Sequence, residues 1–407
     1  MSRTGMGRWH PPLRQCISTL ALIIGLAYVA GCTRPASDCR EPADNVGRLY
    51  VNAMEGIERG GLDSAESGLD RALHCDPKFR VALSARALVT ALRAQKAGDT
   101  TQRDAYQKRA HADLVAGAAG LSSPEEHFLH EVTAIRAITA LQDTRWLDQA
   151  TALYERARGL SVEESKLLYY GEPEALPYFM AEAFLTAGEY EKARTLYHQV
   201  FERHGVGRWN GKAEAGWQRT DKIIRATAGI TSEGIGRHIA VQPTVTRAQL
   251  AALLVEDVGL GKLLDSAMAD TPRLVPADTR DSPYREQIVR VLGWHLRGIE
   301  LVYDNTAQAY LFQPDAPVRR KELAIALEDI VIRLAGDPSA ARAFIGHDKS
   351  LFTDVAPTAA WYNACATAVS RGLMESDVEG AFRPDANVEG ADALLAARVL
   401  RQKMIGN

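Results

Sequence analysis

Apolar residues spaced three and four apart dominate the first half of the chain and constrain it to helices. Residues 45–205 are rich in Ala, Leu, Glu and Arg and contain few β-branched residues, a composition that favours the α-helix. Ala65, Leu69, Ala72 and Leu73 show this helical spacing clearly. We therefore predict an all-α fold.

The same helical unit recurs along this half. Its marker residues are small, aliphatic or aromatic. They are Gly60, Ala65, Leu69, Ala72 and Pro77 in the first unit, Ala150, Tyr154 and Ala157 in a weaker middle unit, and Gly188, Tyr190, Ala193, Tyr197 and Val200 in the last. This spacing resembles the tetratricopeptide repeat. The resemblance implies helix pairs stacked into a curved solenoid, whose concave face binds a protein or peptide. A generic helical bundle without a binding role is the alternative.

An aromatic group lies near the end of this half, at Tyr169, Tyr170, Tyr178 and Phe179. We predict that these rings pack between helices in the core. A groove for a partner peptide is the alternative use of such a group.

No catalytic or metal-binding constellation is visible in the sequence. His127, His130 and Glu131 have the spacing of one helix face, but no further ligand lies nearby. Other Ser, His and Asp residues are scattered. We therefore predict a non-enzymatic protein without a metal or another cofactor.

The C-terminal half carries the most specific motif. Residues 352–355 read Phe-Thr-Asp-Val, Trp361 follows, residues 372–374 read Gly-Leu-Met, and residues 380–384 read Gly-Ala-Phe-Arg-Pro. A final helix is predicted at about 390–403. The glycines permit turns, and the proline favours an extended loop between two helices.

The order of these motifs resembles the S-layer homology domain. Two further stretches resemble it, so that three copies cover residues 215–262, 276–335 and 351–403, the first only in part. The resemblance implies one pseudo-threefold helical unit, whose grooves hold an acidic cell-wall glycan or peptidoglycan. We therefore expect a tetratricopeptide-like helical array followed by a helical S-layer homology unit.

The resemblance assigns the ligand role to the start of the last helix of each copy. The family sequence there, Thr-Arg-Ala-Glu, is matched by Thr246 and Arg247 in the first copy. In the second copy Arg320 matches the arginine, and Arg319 replaces the usual threonine. An arginine at a helix start adds a planar, charged fork that suits carboxylate or ketal oxygens. These four residues are the candidate wall-ligand residues. The alternative is that the arginines pair with a local acid such as Glu322.

The third copy departs from this pattern. It reads Val-Glu-Gly-Ala-Asp from Val388, so that we expect an acidic residue, Glu389, in place of the ligand-facing arginine. We therefore predict a structural role for this copy.

The N-terminus resembles a bacterial lipoprotein signal. Residues 1–31 combine three arginines with an apolar run too short to span a bilayer, and residues 29–32 read Val-Ala-Gly-Cys. The resemblance implies cleavage before Cys32, acylation of its sulfur with palmitate-type chains, and a linker over 32–44. Thr33 replaces the aspartate that commonly retains lipoproteins in the inner membrane, which favours the outer membrane, facing the periplasm. An ordinary secretory signal or an uncut short anchor is the alternative.

The net charge and the cysteines of the chain bear on its partners and its compartment. The formal net charge of −3 argues against a nucleic-acid partner. Pairing of Cys39 with Cys75 in an oxidising periplasm stays open, and Cys365 is expected in the core.

The leading hypothesis is a cell-envelope lipoprotein that links a membrane to the cell wall and recruits a protein partner through its helical repeats. The alternative is a periplasmic interaction scaffold whose C-terminal domains are structural only.

Overall fold

The computed structural model describes Cys39 and residues 44–203, 207–229, 234–265, 275–335 and 338–405. The described chain is all-α, as predicted, apart from one two-stranded hairpin. None of the described helices combines the length and the apolar character that crossing a membrane requires. The predicted signal, the acylated Cys32 and most of the linker lie outside the described residues.

Successive helices of the first half pack as pairs. Their bounds are α1 Val46–Glu58, α2 Leu62–Cys75, α3 Val81–Lys96, α4 Thr100–Ala118, α5 Pro124–Leu141, α6 Trp146–Ala157, α7 Ala175–Thr186 and α8 Tyr190–Arg203. Helix α1 packs on α2, α3 on α4, α5 on α6 and α7 on α8, and neighbouring pairs meet through α3, α5 and α7. These contacts fit repeat-like helices stacked side by side.

Local chemistry explains where these helices begin and end. Helix α5 begins with a capping box, in which the Ser123 hydroxyl accepts from the Glu126 N–H at 3.1 Å and the Glu126 carboxylate accepts from the Ser123 N–H at 3.3 Å. Gly60 and Gly188 follow α1 and α7 with φ of 78° and 79°, a left-handed conformation that glycine adopts readily. The glycine turns expected from the sequence are therefore present.

The aromatic group packs in the core, which confirms the prediction for it. Tyr169, Tyr170 and Phe179 are buried around Trp209, and Tyr178 stacks on the Trp209 ring with centroids 5.2 Å apart. The Trp209 indole N–H donates to the carbonyl oxygen of Tyr170 at 2.9 Å. These rings therefore close the space between helices rather than line an open groove.

The second half builds a separate core from shorter elements. Their bounds are α9 Asn210–Thr227, α10 Ile235–Ala240, α11 Arg247–Ala252, α12 Gly261–Leu264, α13 Arg285–Gly293, β1 Val302–Asp304, β2 Ala309–Leu311, α14 Arg320–Ala335, α15 Tyr362–Ser370 and α16 Gly390–Ile405. A π-helical turn, Leu253–Asp257, extends α11. Strands β1 and β2 are antiparallel, with Tyr303 opposite Tyr310.

Helix α9 belongs to both cores. Ala213, near its start, packs in the first core, whereas Ile223 and Ala226, near its end, pack in the second. The Arg398 guanidinium of α16 donates to the carbonyl oxygens of Arg225 at 3.1 Å and Ala226 at 2.7 Å. These bonds satisfy carbonyl groups that a helix end leaves without partners. One continuous helix therefore joins the two halves.

The cysteines have distinct roles. Cys39 and Cys75 form a disulfide, which resolves the pairing left open by the sequence. Beside it, the Arg71 guanidinium donates to both carboxylate oxygens of Asp44, at 2.8 and 2.9 Å. Cys365 is fully buried, as expected, and burial raises the pKa of its thiol to about 12.

Candidate functional site

Three short segments, one from each predicted copy, meet in a closed ring of hydrogen bonds. The Val245 N–H donates to the Val388 carbonyl at 2.8 Å, Val388 donates to Val318 at 2.9 Å, and Val318 donates to Val245 at 2.9 Å. All three valines are buried. The ring gives the second half a pseudo-threefold centre and makes the three segments structurally equivalent.

The ring also fixes which residues correspond at the helix starts. Arg247, Arg320 and Gly390 each donate their backbone N–H to a carbonyl oxygen of the next segment in the ring, in every case at 2.9 Å. Gly390 therefore occupies the arginine position of the third copy. The expectation that an acid replaces this arginine is wrong, because Glu389 corresponds to the residue before it.

Close backbone contact explains the glycine. A Cβ atom at Gly390 would overlap the carbonyl oxygen of Ile239 and lie 2.7 Å from the Ile239 carbonyl carbon. Any larger residue would push the start of α16 away from the last residues of α10. The third helix start therefore has no room for an arginine in this packing.

Arg247 holds a loop of the second copy. Its Nε donates to the carbonyl oxygen of Phe312 at 2.7 Å, its Nη2 donates to that of Glu300, and its guanidinium lies 4.9 Å from the centroid of the Phe312 ring. Burial lowers the pKa of Arg247, an effect that the charge of Glu322 opposes. The side chain thus joins two copies through backbone oxygens.

Arg320 repeats this geometry one step around the ring. Its Nε donates to the carbonyl oxygen of Phe382 at 2.7 Å and its Nη2 to that of Glu375 at 2.6 Å. The guanidinium lies 4.9 Å from the Phe382 ring centroid, and Nη1 is 3.8 Å from the Asp392 carboxylate. Both predicted arginines therefore shape the junctions between copies, and their role toward a ligand stays a prediction.

The loops at Phe312 and Phe382 each also donate two backbone N–H groups to an aspartate. Asp278 accepts from the backbone N–H of Phe312 at 3.2 Å and from that of the next residue at 2.7 Å. Asp354 accepts from Phe382 at 2.7 Å and from the residue after it at 2.6 Å. This use explains the aspartate in the Phe-Thr-Asp-Val motif. The motif is visible in the sequence, but the hydrogen bonds that its aspartate makes are not.

The other predicted residues begin helices. The Thr246 hydroxyl accepts from the Gln249 N–H at 3.2 Å, and the Gln249 amide oxygen accepts from the Thr246 N–H at 2.9 Å. The Arg319 N–H donates to the Glu322 carboxylate at 2.8 Å in the same way. Thr246 therefore uses its hydroxyl for the cap, whereas the Arg319 side chain remains directed to solvent, with 53% exposed.

Two cations, the exposed Arg319 and the partly buried Lys321, lie with an aromatic ring at the junction of the second and third copies. Arg319 lies 3.4 Å and Lys321 lies 2.6 Å from the same Asp385 oxygen. The Lys321 ammonium also lies 4.6 Å from the centroid of the Trp361 ring. We call Arg319, Lys321, Trp361 and Asp385 the junction cluster. Lys321 and Asp385 were not predicted as site residues, although the basic run that begins at Arg319 was a signal for this surface.

The histidines of the first half form a different arrangement. His130 is buried and its Nδ1 lies 2.7 Å from the Ser84 hydroxyl, while Glu131 pairs with Arg156. His127 is exposed. Within the described residues, no three His, Cys, Asp or Glu side chains are grouped as metal ligands would be.

Comparison with known families agrees with the motif of the third copy. Residues 351–394 match the S-layer homology domain. No curated protein and no solved structure matches the chain. Because S-layer homology domains are known for cell-wall binding, the match supports a general role in anchoring at the cell envelope.

Proposed function

We propose that this protein is a non-enzymatic envelope lipoprotein that binds an acidic cell-wall polymer, or peptidoglycan itself, through its C-terminal half. The observation that carries the proposal is the S-layer homology match at residues 351–394, set in a closed ring with two equivalent segments. In this proposal all three copies are S-layer homology domains. The first two supply the helix-start arginines that the third lacks.

The junction cluster is the best candidate contact for an acidic saccharide. Arg319 and Lys321 offer two cations that share a single carboxylate, Asp385, so positive charge is left over for a ligand. Trp361 offers an aromatic face beside them. Ligand oxygens can replace those of Asp385, which is itself 65% exposed and weakly held at the surface. Arg320 and Arg247 lie at the bases of their junctions, where they fix the loops and add charge.

The lipid anchor at Cys32 and the outer-membrane location remain part of the proposal. The Cys39–Cys75 disulfide supports export, because disulfides persist mainly in oxidising compartments such as the periplasm. Several acyl chains on one cysteine anchor a protein stably, at about 0.8 kcal/mol per buried methylene. The helical repeats then recruit a protein partner, through surfaces other than the buried aromatic group.

Binding to purified sacculi tests the proposal. The lipid-free chain is incubated with sacculi and the bound fraction is measured for a variant carrying Arg319→Ala and Lys321→Ala. We expect about a tenfold loss of affinity, since two ionic contacts near the surface contribute up to about 1 kcal/mol each. A variant with Arg342→Ala and Arg371→Ala is the control, because it removes the same number of positive charges from the same half at exposed positions. No binding by the unaltered chain, or equal losses in both variants, contradicts the proposal.

A protein-interaction scaffold is the second candidate function. It is favoured by the way in which Arg247 and Arg320 bind backbone oxygens and by the glycine at the third position. Cross-linking in cells discriminates between the two: capture of a protein partner with no wall material favours the scaffold.

A further inference from the structure

A row of alternating charges connects helix α9 with Arg320. The Lys222 ammonium lies 3.1 Å from one oxygen of Asp392, and Arg320 Nη1 lies 3.8 Å from the other. The side chains of Lys222, Asp392 and Arg320 are only 27%, 19% and 14% exposed. Charges that are this close and this shielded from water affect one another more strongly than surface ion pairs do.

The position of Asp392 follows the symmetry of the ring. Asp392 is the third residue of α16, and the corresponding residues of α14 and α11 are Glu322 and Gln249. Asp392 neighbours Arg320, and Glu322 supplies the carboxylate charge that acts most strongly on Arg247. At the junction of the third and first copies, Gly390 occupies the position of the arginine and Gln249 occupies the position of the acid. The two junctions that have an arginine also have the acid, and the junction that lacks the arginine lacks the acid. This pattern indicates that the arginine and the acid act together.

At the Arg320 junction the acid, Asp392, also contacts a lysine, Lys222. It lies on α9, the helix whose two ends pack in the two cores. Lys222 also lies 3.8 Å from Glu389, so this helix meets both acids at the start of α16. Lys222 and Arg320 share the Asp392 carboxylate, and a change in one contact alters the charge that Asp392 presents to the other.

We propose that Asp392 is a positioning residue that sets how much positive charge Arg320 presents to an acidic wall polymer, and that Lys222 of α9 adjusts this setting. The inference rests on the proposed function and adds a link between the helical repeats and the wall site. Loss of Lys222 leaves the carboxylate to Arg320 alone and makes the junction more negative. Loss of the Asp392 charge leaves Arg320 unneutralised.

The two losses have opposite effects on binding, and this is the basis of the test. Equilibrium binding of the full chain to purified sacculi is measured at low salt for Lys222→Gln and for Asp392→Asn. We expect Lys222→Gln to weaken binding about threefold and Asp392→Asn to tighten it about threefold, with both differences shrinking in 0.5 M NaCl, where the screening length falls to about 4 Å. Lys212→Gln is the matched control, because Lys212 lies on the same helix and pairs with Glu58 in the first half.

Urea unfolding of each variant separates charge effects from folding effects. A purely structural role for Asp392 predicts weaker binding in both variants, in step with lower stability, and this result overturns the inference. Unchanged binding in both variants, while the unaltered chain binds, also overturns it. If the unaltered chain does not bind sacculi at all, the proposed function fails and the inference fails with it.

Discussion

Replacement of Gly390 by alanine tests how the three segments fit together. The new Cβ atom would overlap the Ile239 carbonyl oxygen and lie 2.7 Å from the Ile239 carbon and 3.1 Å from the Ala240 carbonyl carbon. Non-bonded carbon atoms prefer separations of about 3.5–4.0 Å, so the contact with the Ile239 carbon alone requires the backbone to move by about 1 Å. Both neighbours are backbone atoms, which cannot turn aside as a side chain can.

The movement strains two hydrogen bonds near the ring, from Gly390 to Gln242 and from Val388 to Val318, each 2.9 Å long. Overpacking costs about 1–3 kcal/mol and each lost hydrogen bond about 1 kcal/mol, so we expect Gly390→Ala to reduce the free energy of unfolding by about 3–5 kcal/mol. This is a large part of the stability of a typical domain.

Urea unfolding followed by tryptophan fluorescence measures this loss. Gly211→Ala is the matched control, because Gly211 lies inside α9 with no atom within 4 Å of its added Cβ. Alanine is favoured over glycine in a helix by up to about 1 kcal/mol, so this control keeps or gains stability. A loss below 1 kcal/mol for Gly390→Ala would refute the close backbone contact at the ring.

Three further changes test other parts of the structure. Cys75→Ser opens a disulfide between residues 36 apart and should cost about 3–4 kcal/mol in chemical unfolding; equal midpoints for oxidised and mutant chains would contradict this. Burial lowers the pKa of His130 to about 4, so below pH 6.5 the unfolded chain binds a proton that the folded chain does not. Stability should be full above pH 6.5 and fall by roughly 3 kcal/mol as the pH drops toward 4, and His130→Asn should remove this part of the pH dependence. Asp354→Ala removes two hydrogen bonds to the loop at Phe382 and should cost about 1–2 kcal/mol, whereas retained stability would show that the loop holds without it.

Periodicity and turn chemistry were sufficient to predict the helices. Ala65, Leu69 and Ala72 are buried as their spacing indicates, and Gly60 and Gly188 end helices with a left-handed backbone. These features depend on residues close together in the sequence, where local geometry decides the outcome. The burial of Cys365 followed from an apolar helical stretch for the same reason.

The junctions could not be predicted because they join residues distant in the chain. Arg247 reaches the carbonyl oxygen of Phe312, 65 residues away, and Arg320 reaches that of Phe382, 62 residues away. A sequence motif shows that an arginine is present but not that backbone oxygens are its partners. The alignment of Gly390 with the arginines likewise depends on a ring of bonds between three segments.

The packing of α9 in both cores could not be predicted from the sequence either. Its apolar residues follow one helical period throughout, so nothing in the pattern marks where Ala213 leaves one core and Ile223 enters another. The predicted boundary near residue 205 therefore lies just before the continuous helix Asn210–Thr227. The predicted start of the first copy, at 215, lies inside this helix.

The most direct test of wall binding compares two preparations of sacculi from the native host. Equilibrium binding of the lipid-free chain is measured on intact sacculi and on sacculi from which the attached acidic polymer has been removed chemically. We predict saturable binding to intact sacculi that weakens in high salt, because charge-assisted contacts depend on anionic groups of the wall. A fall of at least about tenfold after the polymer is removed identifies the acidic polymer as the ligand, and retained binding identifies peptidoglycan itself. Absence of saturable binding to either preparation would contradict the account.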